Sequence, residues 1–149
     1  MLLKDLCTPD VVSSAPDRSA LHAARLMRER HVGDVVVVED TEAGESPIGL
    51  VTDRDIVVEV LGRELDPARV TLRQIMKTPA VIANTSEDAL QAIERMKAHG
   101  VRRMPVVDGS SRLVGILCLD DLLKRLAADA ASLAEVIARE QDREHRTRR

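Results

Sequence analysis

Two short segments hold the residues whose types and spacing could do chemistry. Residues 48–56 read IGLVTDRDI and residues 114–122 read VGILCLDDL. Each has a glycine, a hydroxyl or thiol residue three positions on, and an aspartate three further: Gly49, Thr52, Asp55 and Gly115, Cys118, Asp121. A glycine lets another group come close to the backbone. A threonine at a helix start can cap it, or turn its hydroxyl toward an anion near the free N–H groups. An aspartate one turn later can accept two hydrogen bonds from a vicinal diol, as ribose offers. The plainer reading makes Thr52, Asp53 and Asp120 first-turn residues, favoured by capping and the helix dipole. The repeated offset favours a ligand role for Asp55 and Asp121.

Bond-making chemistry is not expected. Cys118 stands at a helix start, where a thiol pKa can fall, but no histidine is placed in sequence to partner it. The aspartates suit diol binding better than proton transfer. His22, His31, His99 and His145 show no HxH or HExxH spacing, and Cys7 and Cys118 form no CxxC pair. No metal site and no required cofactor follow from these spacings.

The elements that must position these residues occur twice. Thr8-Pro9 matches Thr78-Pro79, Val11-Val12 matches Val81-Ile82, and Leu21, Met27 and Val32 match Leu90, Met96 and Val101. Each copy reads strand, helix, strand, strand, helix. The helices are expected to begin near Asp17 and Ser86, the second through a Thr85/Asp88 capping box, and Gly100 is a stop signal. Leu90, Ile93 and Met96 recur at helical spacing and predict a buried stripe. The apolar runs Val35–Val38 and Met104–Val107 suit strands covered on both faces. Polar loops, Asp40–Ser46 and Asp108–Arg112, lead to the next strands, which end at Thr52 and Cys118.

The expected class is α/β (α+β): two βαββα repeats related by a pseudo-twofold axis, plus an extended C-terminal helix. Neither half can bury its apolar face alone. The expected boundaries are 1–61 for the first repeat, 62–76 for a structured connector opened by a Thr71/Gln74 capping box, 77–127 for the second repeat, and 128–149 for a terminal helix and charged tail. Apolar positions run at helical spacing through Leu122, Leu126, Leu133 and Ile137. Beyond them the helix becomes polar and Arg148-Arg149 reads as a frayed end.

Composition narrows the function classes. The 149 residues include no Phe, Tyr or Trp, which removes base stacking and aromatic cages. The net charge of −3 does not favour nucleic acid. No apolar run reaches the roughly 18–20 residues of a membrane span, and Asp5 and Asp10 interrupt any signal-peptide core. A cytoplasmic protein is expected.

With the doubled TP-x-V-(V/I), the HGVRRMPVVD segment and the doubled G-h-h-(T/C)-x-x-D-h, the chain resembles a tandem pair of cystathionine-β-synthase-type (CBS) domains, a Bateman module, over about residues 5–127. The resemblance implies a regulatory module that binds an adenosine-containing nucleotide (AMP, ADP, ATP or similar) in clefts between the repeats. It makes Asp55 and Asp121 the ribose acids, Thr52 the hydroxyl donor, and Arg102 and Arg103 the phosphate contacts. Cys118 replaces the hydroxyl in the second copy, and Gly33 and Asp34 replace the arginines in the first. Without aromatics, adenine would lie between Val11, Val12, Val81 and Ile82. The resemblance also implies a homodimer. The alternative is a ligand-free dimeric adaptor.

Overall fold

A computed structural model describes residues 1–147; Arg148 and Arg149, expected as a frayed end, lie outside the described residues. Two three-stranded sheets share one plan. In the first, β1 (Ser13–Ser14) runs parallel to β2 (Asp34–Thr41), which is antiparallel to β3 (Gly44–Thr52). In the second, β4 (Ala83–Asn84), β5 (Arg103–Val107) and β6 (Leu113–Cys118) repeat that order and those directions. The helices are α1 (Ala20–Arg30), α2 (Asp53–Ile56, continued by a π-helical turn Val57–Leu61), α3 (Leu72–Ile75), α4 (Ala89–His99) and α5 (Leu119–Thr147). The mixed fold of two like halves agrees with the expectation.

The continuous apolar strands have a simple cause. Side chains alternate faces along a strand. Val35 and Val37 enter the core of the first repeat with Ala23, Met27, Val51 and Leu72. Val36 and Val38 face the other way and meet Ile116 of β6. One face of β2 thus covers its own helices and the other covers the partner repeat. A half-polar strand would leave one of those contacts unmade.

Both first helices begin three residues later than expected. Ser19 caps α1, its Oγ accepting from His22 N–H at 3.1 Å. Asp88 caps α4 in a box with Gln91, and not Thr85 with Asp88. Thr85 N–H is already spent on the Val107 carbonyl, which extends the β4–β5 ladder, so the chain there is still strand-like. Leu90, placed in the buried stripe by its spacing, is 71% exposed. The buried positions of α4 are Ala92 and Met96, with Ile93 packed beside them. The polar stretch Asp40–Ser46 is mostly hairpin rather than loop. β2 and β3 pair out to Thr41 and Gly44, and Gly44 takes φ 116°, which a side chain would strain. The Thr71/Gln74 box forms as expected.

The two repeats exchange their leading segments. Leu3, in a short 3₁₀ turn (Leu3–Asp5), is fully buried in the core of the second repeat beside Met96, Met104 and Leu117. Thr8 bridges to Ile116 of β6, and in mirror fashion Lys77 bridges to Leu50 of β3. The glycines of the doubled motif serve this crossing. A Cβ at Gly49 would lie 2.6 Å from Met76 Sδ, and one at Gly115 would lie 2.7 Å from Cys7 Sγ. The close approach that these glycines permit is made by the chain itself.

α5 is one continuous helix, so the expected boundary at 127/128 falls inside it. Only Leu122 is buried among its described residues.

Candidate functional site

Thr52 and Asp55 are joined in a capping box at the start of α2. Asp55 N–H donates to Thr52 Oγ1 at 3.1 Å, and Thr52 N–H donates to Asp55 Oδ2 at 2.9 Å. The other carboxylate oxygen has Lys77 Nζ at 3.5 Å, and Asp55 is 8% exposed. Both oxygens that a diol would use are therefore engaged within the chain. Asp121 differs. Its side chain is 40% exposed, with Lys124 Nζ 3.6 Å from Oδ1. The repeated offset thus yields two different environments, one capping and buried, one open.

Arg102 and Arg103 precede β5 and begin it. Arg102 donates to Asp120 Oδ1 at 2.9 Å. Arg103 Nε lies 2.8 Å from Asp34 Oδ2. Asp34 opens β2 as Arg103 opens β5, so the pair joins equivalent positions of the two repeats. The two residues were expected to characterise separate clefts, one acidic and one basic. They instead meet in one place, because strands related by a twofold axis bring equivalent positions together where they approach it. Burial pushes the Asp34 carboxyl up; Arg103 opposes this, and Asp53 adds to it.

Cys118 stands beside this pair. Its thiol is pushed up, chiefly by burial and then by the Asp34 charge. A helix-start thiolate, considered from sequence, is therefore not what the site favours. The first N–H of each following helix is also taken: Leu119 donates to the Arg102 carbonyl at 2.9 Å and Asp53 to the Gly33 carbonyl at 3.0 Å. Among the described residues no group of three or more His, Cys, Asp or Glu could hold a metal ion.

The four adenine candidates separate. Val12 is 8% exposed and belongs to the core of the first repeat, so it does not line a cleft. Val11 packs into the cluster between the sheets with Val36, Val38 and Ile116. Val81 lines a cavity. Ile82 gives its carbonyl to Arg95 Nη1 at 2.7 Å, which occupies one group that could read a base edge.

Two cavities flank Arg103. One, of about 160 Å3, is lined by Arg102, Arg103, Cys118 and Asp120. The other, of about 40 Å3, is lined by Leu50 and Lys77 on one side and by Val81, Val101, Arg103 and Pro105 on the other. The second lies where the exchanged segment crosses β3. Two glycine-bearing strand ends, two crossed segments and two equivalent sheets make a doubled architecture. Its two halves match the CBS domain at residues 3–62 and 72–128. The chain belongs to the CBS domain family.

This CBS pair is 33% identical over 120 residues to the CBS domain-containing protein YhcV of Bacillus subtilis, covering 80% of the chain and 81% of that protein. It is 34% identical over 115 residues to an uncharacterized protein of Methanopyrus kandleri; that match takes in 77% of the chain and 57% of the relative's length. Among solved structures, the CBS domain pair of protein MJ0100, in complex with 5′-methylthioadenosine and S-adenosyl-L-methionine, superposes with a TM-score of 0.75 at 22% identity, over 87% of this chain and 98% of that one. That likeness is one of fold.

Three ion pairs in the CBS pair were not read from sequence. Lys77 sits on Asp55, Asp120 on Arg102, and Asp34 on Arg103. The first two pairings depend on side-chain reach and leave no sequence signal. The third was readable: opposite charges at equivalent positions of a twofold repeat are a sign of contact across the axis. No helix among the described residues is long and apolar enough to cross a membrane.

Proposed function

We propose that this CBS pair is a ligand-sensing regulatory module, binding an adenosine-containing small molecule between its repeats and doing no chemistry of its own. The observation that carries the reading is the pair of cavities on either side of Arg103, one polar and one largely apolar, at the junction of the repeats. The adenosine compounds bound by the MJ0100 pair support it. In this reading the apolar side, with Val81, Val101 and Pro105, takes the base. Asp121 takes a ribose hydroxyl more readily than Asp55, whose oxygens are occupied. An adenine nucleotide would bring its phosphate to Arg102 and Arg103. The free thiols Cys7 and Cys118 fit a reducing cytoplasm. The exposed face of α5 fits a homodimer.

A second reading, a ligand-free dimeric adaptor, draws on the cavity sizes. About 160 and 40 Å3 fall below the ~300–1,000 Å3 of ordinary ligand pockets.

The protein tests this itself. With no Trp or Tyr it scarcely absorbs at 280 nm, so a 260 nm band in purified protein reports bound nucleotide or nucleoside. After ligand removal, thermal melts followed by circular dichroism should rise with the ligand. At a hundredfold excess over Kd the gain is about 2.7 kcal/mol, or roughly 5–10 °C for a chain of this size. Asp121→Ala should weaken binding by about 1.5–3 kcal/mol, the range for hydrogen bonds to charged groups. No shift with adenosine, its phosphates or its thioethers would leave the adaptor reading standing.

A further inference from the structure

Every cation lining the two cavities is already matched to a carboxylate of this chain. Arg102 has Asp120 at 2.9 Å, Arg103 has Asp34 at 2.8 Å, and Lys77 has Asp55 at 3.5 Å. The central pair is the one whose two members are both shielded from water, Asp34 being 13% exposed and Arg103 36%, whereas Lys77 and Arg102 are each more than 70% exposed. A second acid is close by. A Cβ on Gly33 would lie 3.3 Å from Asp53 Oδ2 and 3.6 Å from Arg103 Nη2. Asp120 lines the polar cavity with the two guanidiniums, and Asp34 and Asp53 lie behind Arg103. A phosphate arriving there would have to displace Asp34 from Arg103 and leave that carboxylate half-buried with Asp53 as its neighbour, a like-charge arrangement that disfavours the wrong ligand. A neutral or cationic group meets no such opposition.

We propose that Asp34 is the specificity-determining residue of the cleft, holding Arg103 in a closed ion pair so that the module takes adenosine derivatives with a neutral or cationic 5′ substituent and rejects 5′-phosphates. The proposal rests on the reading of the cleft as an adenosine site. It extends to the Arg103 side the preference for neutral or cationic adenosine compounds that Asp34 implies for the first cleft, and it reverses the expected role of Arg103. In the intact chain this arginine is a partner for Asp34, and it becomes a phosphate contact only when Asp34 is neutralised.

Titration calorimetry with three probes tests this: 5′-methylthioadenosine (neutral), S-adenosylmethionine (cationic) and AMP (dianionic). The wild type should bind the thioadenosine at least about tenfold more tightly than AMP. Asp34→Asn should raise AMP affinity by about tenfold or more, weaken the cationic probe, and leave the thioadenosine within about twofold; opposed close charges at interfaces carry effects of this size. Adding Arg103→Gln to Asp34→Asn should remove the gain for AMP, which a general loosening of the fold would not do. AMP bound by the wild type as tightly as the thioadenosine overturns the proposal, as does an Asp34→Asn protein of unchanged AMP affinity. Should all three probes fail on both proteins, the adenosine reading falls as well. If Asp34→Asn melts too early to titrate, Asp34→Ser gives the same comparison.

Discussion

Leu3→Ala should destabilise the whole module by about 2–5 kcal/mol, the cost of emptying a fully buried leucine site. Leu3 lies at the edge of the chain, where truncation is ordinarily tolerated, yet its side chain is 0% exposed. It packs into the second repeat with Ala92, Met96, Met104 and Leu117, more than eighty residues away in sequence. Leu72 does the converse service, filling the core of the first repeat from the connector beside Val35, Val37 and Val51. Each core therefore holds a segment that leads into the other half. Urea melts of Leu3→Ala and Leu72→Ala should each show a single cooperative transition with a lowered midpoint, because neither half can lose its borrowed leucine and stay intact. Leu2→Ala, at a side chain 40% exposed, should change little. A Leu3→Ala protein within about 1 kcal/mol of wild type, or one that melts in two steps, would mean that the exchanged segment is only laid over the surface.

What was legible in the sequence was whatever is written locally. The Thr71/Gln74 box and the α4 stop at Gly100 depend on residues a few positions apart, and both form where expected. The Val35–Val38 run was read as covered on both faces, and so it is. Periodicity fixed a stripe on α4 but not its edges. Leu90 satisfied the spacing and faces solvent, while Ala92, too small to count as a signal, sits fully buried. Destination was not legible at all. Nothing in LLKDL says that Leu3 joins the far repeat, since hydrophobic pattern specifies that a residue is covered and not by what. The site followed the same rule. Thr52 and Asp55 were visible as a pair, and the choice between capping and ribose depended on where Lys77 reached.

The face of α5 carries the last expectation. Leu123, Leu126, Leu133, Val136 and Ile137 are 53–70% exposed. Leu123, Leu126, Ala130, Leu133 and Ile137 step by alternating threes and fours, the spacing of a seam between two helices. Left bare, such a stripe is an association site. The proposed homodimer would close it with a second copy. Burying a leucine or isoleucine side chain is worth about 1.5–3 kcal/mol. Two such residues from each protomer, even half covered, contribute roughly 3 kcal/mol, a hundredfold or more in association constant. Leu133→Glu combined with Ile137→Glu should therefore turn the dimer to monomer at micromolar concentration in sedimentation equilibrium. The helix itself should survive, because glutamate is a good helix former at exposed positions. Cutting after Leu126 should have the same effect by removing the distal half of the seam. Ala128→Glu, off the seam, should leave association unchanged. If the double variant dimerises as tightly as the wild type, the two copies meet elsewhere and the α5 face serves a different partner.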